Sequence, residues 1–200
     1  MTMNGKPLVG VSENIKQLGR MDLPGGGSIV VENGYAYVGH MDPPHGTSII
    51  DVHDPKNPKR IAHLEISEGL HSHKVRVSGD IMLINYERYK AKQELQSGLK
   101  IFDISDKTKP REIAFYKTPG KGVHRFTFDG RYAYISPTVD GYVGNIAMIL
   151  DLKNPEKPEE ICRAQIPDLH YPCWAAPILS GKRLYVRSED KLICFDIAKH

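Results

Sequence analysis

The stretch TSIIDVHDPKNPKRIAHL, residues 47–64, decides the fold because the chain repeats its pattern. Similar stretches are LKIFDISDKTKPREIAFY at 99–116 and AMILDLKNPEKPEEICRA at 147–164, and a shortened form, KLICFDIAKH, occupies 191–200. In each full copy an apolar run ends in an aspartate, and a proline follows seven residues later. A glycine turn precedes each copy, at Gly34, Gly79, Gly130 and Gly181. Such a period predicts a repeat architecture.

The pattern of each repeat unit predicts four short strands. Two lie on either side of the glycine turn, the third ends at the aspartate and the fourth follows the proline. Four-stranded units of this length are typical of β-propeller blades. We therefore predict an all-β protein, a single β-propeller domain over 1–200 with about four antiparallel blades. The expected blades are 27–66, 69–118, 121–166 and 170–200.

The last unit lacks a fourth strand, and the segment 14–23 is the candidate to supply it. Pairing of this N-terminal segment with the C-terminal three strands would close the ring and leave no sheet edge bare. Two alternatives stay open. The chain could be a piece of a larger propeller, or an open stack of β-meanders.

The apolar runs before the aspartates, SIIDV, KIFDI and AMILDL, together with YAYVGH, resemble the LVIVD-repeat family over roughly residues 27–166. The resemblance implies a β-propeller, usually with more than four blades, and implies no settled activity. The last unit, YPCWAAPILSGKRLYVRSEDKLICFDI at 171–197, looks more like a blade of the quinoprotein-like propellers, the group that includes PQQ enzymes.

Composition narrows the function classes. The 27 Lys and Arg residues exceed the 24 Asp and Glu residues by only three and are scattered, which argues against nucleic acid as a partner. No apolar run resembles a signal peptide or reaches bilayer length, so we expect no membrane association and a cytoplasmic location. The motifs of P-loop nucleotide hydrolases, zinc proteases and serine hydrolases are missing from the sequence.

Propeller topology predicts that the irregular loops gather on one side of the disc, where binding groups concentrate on a rigid scaffold. Glu68 and Asp168 on these loops are candidates for general bases in catalysis. The candidate ligand-binding residues on the same side are His40, His45, Tyr86, Arg88, Tyr142 and His170.

Three further histidines form a candidate metal site. His73 and His124 each precede a turn glycine by six residues, so they share a register at the start of the innermost strand of successive blades. His71 lies two residues before His73, a spacing that lets two side chains share a face. Three imidazoles suit zinc, iron or copper. Because Ser28 and Ala175 hold the equivalent positions in the other units, the alternative is that these histidines are hydrogen-bonded packing residues.

Two functions follow from this pattern. The first is a scaffold that binds a protein or small-molecule ligand at its loop face and channel mouth. The second is a metal-dependent enzyme, an oxidoreductase or a hydrolase or lyase, with His71, His73 and His124 as ligands and Glu68 or Asp168 as a proton shuttle.

Overall fold

The computed structural model describes residues 2–3, 6–7, 15–166, 175–188 and 190–197, and these ranges contain strands and no helix. Two short strands form an N-terminal hairpin, β1 (Thr2–Met3) and β2 (Lys6–Pro7). Within the described ranges, no helix is long and apolar enough to cross a membrane.

The other strands form four antiparallel sheets. The first sheet contains β3 (Gly26–Glu32), β4 (Tyr35–His40), β5 (His45–Asp51) and β6 (Lys59–Glu65). The second contains β7 (Leu70–His71), β8 (Val75–Ser78), β9 (Ile81–Arg88), β10 (Ser97–Asp103) and β11 (Arg111–Thr118). The third contains β12 (Val123–Phe128), β13 (Tyr132–Pro137), β14 (Ala147–Asp151) and β15 (Glu159–Ala164). The fourth contains β16 (Ile178–Ser180), β17 (Arg183–Arg187) and β18 (Leu192–Asp196).

The recurring aspartates stabilise the turns between the third and fourth strands. The carboxylates of Asp51, Asp103 and Asp151 accept hydrogen bonds from the backbone N–H two residues later, at 3.0, 2.9 and 2.8 Å. This is the local bonding that makes aspartate a turn residue. The repeated motif is therefore structural, and it makes each of the three turns in the same way.

Apolar contacts between the faces of successive sheets make the core. Tyr37 and Ile49 of the first sheet pack against Val75 and Met82 of the second. Further clusters join the second sheet to the third and the third to the fourth. Full burial of one such side chain contributes about 1.5–3 kcal/mol. The prediction of an all-β fold with propeller-like antiparallel blades is confirmed.

The N-terminal segment departs from the prediction. Residues 15–23 form no strand, and the fourth sheet has three strands in the described part of the chain, so the expected completion of the last blade by 14–23 is wrong there. Instead, Met21 and Leu23 pack on Ala36, Val38 and Ile50 of the first sheet. The segment runs directly into β3, so the apolar face nearest to it is that of its own blade. No described cluster joins the fourth sheet to the first.

Candidate metal centre

The end of β9 lies between the entries to two inner strands. His71 in β7 is directly opposite Glu87 in the ladder with β9. On the other side, an isolated bridge pairs Glu87 with Gly122, and the N–H of Arg88 donates to the carbonyl of Lys121 at 2.8 Å. These backbone contacts bring the start of the third sheet, including His124, beside Glu87.

The three histidines predicted as ligands cluster around this glutamate. Glu87 Oε2 accepts hydrogen bonds from His71 Nε2 at 2.7 Å and from His124 Nδ1 at 2.6 Å. The ring of His73 lies 4.2 Å from that of His71 and 5.0 Å from that of His124, between centroids. Potential ligand atoms of all four residues lie within 4.8 Å of one another.

The first sheet and Asn85 hold the segment that carries His73. The N–H of Ser28 donates to the carbonyl of His73 at 2.7 Å, and a side chain at Gly27 or Gly39 would clash with the His73 backbone. Asn85 accepts from the N–H of Lys74 at 2.8 Å and donates to the carbonyl of Val123 at 3.1 Å. Because Asn85 bridges the entries to β8 and β12, the cluster spans a fixed junction between sheets.

The protonation states of the cluster suit metal ligation. Burial, reinforced by the neighbouring charges of His71, Lys74 and His124, lowers the pKa of His73 to about 3, so this imidazole is neutral at pH 7. Burial acts to raise the pKa of Glu87, but the hydrogen bonds from His124 and His71 outweigh it and lower that pKa to about 2. A neutral imidazole and an ionised carboxylate are the forms that bind metal ions.

The donor set and the surroundings fit a transition metal. Three imidazoles and one carboxylate match the preferences of zinc, iron and copper. His71 Nδ1 is buried and has no hydrogen-bond partner in the described part of the structure. Leaving a buried imidazole nitrogen without a partner lowers the stability of the fold by about 1–3 kcal/mol, and a metal ion bound to it would remove that cost. Nitrogen lone pairs are thus available in the buried part of the cluster.

A cavity of about 570 Å³ opens onto the cluster. His71, Glu87 and His124 line it, so an ion held by the cluster would be next to the cavity. The other residues that line it are Arg88, Tyr89, Gly120, Lys121, Gly122, Arg125, Ser136, Thr138, Gly144 and Asn145. A metal site that opens on a cavity of this size has room for a small molecule.

The structure brings only some of the other predicted site residues to this place. Arg88 lines the cavity, with an ion pair of 2.7 Å to Glu94. Tyr86 packs against Phe115 and under Lys100, away from the cavity lining. Tyr142 is exposed on the β13–β14 loop. Glu68 is exposed and is not a member of the cluster, so its predicted role as proton shuttle has no support from its position. Asp168 and His170 lie outside the described residues.

His40 and His45 belong to a second histidine group. His40 is fully buried and contacts Pro24 O at 3.1 Å and Ser48 Oγ at 2.8 Å. His63 links Ser48 at 2.9 Å to His45 at 3.3 Å. Every described imidazole of this group has a hydrogen-bond partner, which makes it a packing network on the first sheet. Neither His40 nor His45 lines the cavity beside the metal cluster, and their ligand-binding role stays a prediction.

Glu87 and Arg125 are the residues that sequence reasoning missed. In the hairpin of β8 and β9, Val75 pairs with Ile84. Extending the same register towards the start of the hairpin places residues 86–88 opposite residues 71–73. This register was the available signal for Glu87. Arg125 directly follows His124 in the sequence, and it lines the same cavity.

The stacked sheets and the repeated turns define the class of this protein, a propeller-like repeat protein. The model of the LVIVD repeat family matches residues 26–62 and 95–118, so the resemblance stated above is confirmed over those two stretches. No curated protein matches the chain. The quinoprotein-like character of the last unit stays a prediction.

A similar solved structure is the crystal structure of a functionally unknown protein from Desulfotomaculum acetoxidans DSM 771. It is 18% identical to this chain, with a TM-score of 0.62, and the alignment covers 88% of this chain and 53% of that protein. The likeness supports the fold. The chain spans about half the length of this structural relative.

Proposed function

We propose that the junction of the second and third sheets binds a transition metal ion, zinc, iron or copper, through His71, His73, His124 and Glu87. The observation that carries the proposal is that ligand atoms of these four residues lie within 4.8 Å of one another. The residues come from four places, β7, the entry to β8, β9 and β12, so the convergence is a property of the folded junction and not of a local turn.

The hydrogen bonds inside the cluster support the same conclusion. Two imidazole N–H groups converge on one carboxylate oxygen at 2.6 and 2.7 Å. If each imidazole carries its proton on the other ring nitrogen, or an imidazolium releases one proton to solvent, two nitrogen lone pairs and a carboxylate lie around one small volume. This is the exchange of protons for a metal ion that makes metal affinity depend on pH.

The cavity indicates a metal-dependent enzyme that acts on a small molecule. A bound ion would polarise a water molecule or a substrate oxygen. Ser136, Thr138 and Asn145 also line the cavity. These groups are suited to orient a polar substrate, because hydroxyls and amides both donate and accept hydrogen bonds.

Metal analysis of protein purified without an affinity tag tests the proposal. We expect one zinc, iron or copper ion per chain, and its loss in the double variant His73→Ala with His124→Ala. His53→Ala is the matched control, because its imidazole is exposed and bound to Asp51 far from the cluster. The proposal fails if the purified and reconstituted protein holds no stoichiometric metal, or if the double variant retains it.

A second candidate function is a scaffold that binds a protein partner at the loop face. The β13–β14 loop supports it, because the side chain of Val143 is 86% exposed and Tyr142 beside it is 37% exposed. Contiguous exposed apolar surface marks contact sites, and these two neighbouring residues would contribute to such a surface. Substitution Val143→Asp would abolish such an interaction in a binding assay and leave the metal content unchanged.

A further inference from the structure

Three cationic side chains lie close together on the inner strands beside the metal cluster. Lys74 precedes β8, Arg76 lies in β8, and Arg125 lies in β12. All three are partly buried. Strands β8 and β12 are in contact, which brings the three cations near one another. Burial and then the repulsion from Arg125 lower the pKa values of both Lys74 and Arg76, in agreement with this arrangement.

No carboxylate in the described part of the chain forms an ion pair with these cations. Arg76 donates to the carbonyl of Val75 at 2.8 Å, and Glu87 acts on Lys74 only through its field. Arg125 Nε is buried and has no hydrogen-bond partner among the described residues. Partly buried like charges without counter-charges destabilise a fold, and such arrangements persist where function requires them.

Arg125 connects the cationic group to the cavity. It lines the cavity together with His71, Glu87 and His124, and Arg88 and Lys121 lie on the same lining. Among the acidic residues that the structure describes, only Glu87 lines this cavity, and it already accepts hydrogen bonds from two imidazoles. The field in the cavity therefore favours a negatively charged molecule.

We infer that the cavity binds a small anionic molecule through a carboxylate or phosphate group held by the guanidinium of Arg125, next to the metal cluster. A guanidinium presents a planar set of N–H donors that matches an oxyanion in two parallel hydrogen bonds. Ser136 and Thr138 would supply further donors from the third sheet. The inference deepens the proposed function, because it names the substrate class of the same site.

Titration of the full chain with inorganic phosphate and with malonate, each at constant ionic strength, tests the inference. We expect saturable binding of one anion per chain, measured by calorimetry, and at least a tenfold loss of affinity in Arg125→Gln. Arg20→Gln is the control, because it removes the same charge at an exposed position paired with Asp22. Tighter binding of phosphate or of malonate identifies the oxyanion that the site prefers.

A second readout distinguishes ligand binding from a structural role. If Arg125 holds a ligand, Arg125→Gln will raise the thermal midpoint of the free protein, because it relieves the repulsion on Lys74 and Arg76, and it will abolish the stabilisation by phosphate. Arg125→Lys keeps the positive charge but lacks the planar guanidinium, so we expect it to bind the anion more weakly than wild type. This variant tests the inference even if Arg125→Gln does not fold. Binding that is equal in wild type and both variants, or saturable binding of neither anion, overturns the inference.

The experiment is run on protein treated with a chelator and on protein loaded with zinc. Anion binding that depends on Arg125 without any metal binding would uphold this inference and reject the proposed metal centre. Metal binding without saturable anion binding would uphold the proposed metal centre and reject this inference.

Discussion

At the scale of single residues, Glu87 organises the candidate site. Its Oε2 atom accepts hydrogen bonds from histidines of two different sheets, and its own pKa is lowered to about 2 by them. His73 and His124 could be paired from sequence register alone, since each precedes a turn glycine by six residues, and His71 lies two residues before His73. Glu87 is at the far end of a hairpin strand, and only the strand pairing places it between them.

Glu87→Gln is expected to weaken metal binding roughly tenfold or more, because the variant loses an anionic ligand and an acceptor that orients two imidazoles. The measurement is a competition titration against a chromogenic chelator. Glu68→Gln serves as the control, since Glu68 is exposed and lies outside the cluster. Equal affinities in the two variants would exclude Glu87 as a ligand.

At the scale of structural elements, the turns and the strand entries have separate tasks. The Asp turns repeat with the blades and stabilise them. The entries to β8 and β12 are irregular, and their close approach to neighbouring sheets depends on glycine. Gly122 has a φ of 95°, and a side chain there would clash with the carbonyl of Tyr86.

Gly122→Ala is expected to cost about 1–3 kcal/mol in the free energy of unfolding and also to weaken metal binding. The added methyl would push the entry of β12, and His124 with it, away from Glu87. The control is Gly141→Ala, which has a similar φ of 84° but open space around the position. Denaturant unfolding and metal titration of both variants check this. Unchanged metal affinity in Gly122→Ala would contradict the expectation.

The substitution Asp103→Asn tests whether the charge of a turn aspartate stabilises the fold, because that contribution depends on pH. The backbone N–H and hydroxyl of Ser105, followed by Arg111, lower the pKa of Asp103 to about 2, below its unfolded value near 3.9. The ionised form is thus favoured in the fold, and its stabilisation is complete above pH 4 and lost as the pH falls towards 2.

The thermal midpoint of Asp103→Asn should therefore lie below that of wild type at pH 7, and the difference should shrink between pH 4 and pH 2. Asp140→Asn, in an exposed loop, provides the comparison. A difference that stays constant over this pH range would show that Asp103 does not stabilise the fold through its charge.

At the scale of the whole molecule, the candidate site exists because two sheets are packed face to face. The cluster that joins the second and third sheets includes Leu83 and Leu99 on one side and Phe126 and Ile135 on the other. A different cluster, with Leu184, joins the third sheet to the fourth. The site thus depends on one junction, and the stability of the molecule depends on all of them.

Ile135→Ala is expected to cost about 2–5 kcal/mol and to weaken metal binding, because the cavity it leaves loosens the junction that carries the ligands. Leu184→Ala should cost a comparable amount of stability and leave metal binding intact. Both side chains are almost fully buried, so the pair separates loss of stability from loss of site geometry. Chelator competition below the unfolding transition checks this. An equal loss of affinity in both variants would contradict it.

The sequence by itself determined the repeat, the strands and the turn chemistry. These depend on local rules: a glycine that accepts positive φ, an aspartate that bonds the N–H two residues on, and alternation of apolar side chains. His73 and His124 could be singled out in the same way, because register within a repeat is a local property.

Only the tertiary structure decided which face the N-terminal segment covers, how Glu87 meets histidines of two sheets and where Arg125 lies. Met21 and Leu23 pack on the first sheet. The hydrophobic effect is not directional, so an apolar side chain is buried against whichever apolar surface is near it in the folded chain. Glu87, His71 and His124 meet across two sheets. That meeting depends on how backbones approach one another in space, and local sequence rules do not specify it.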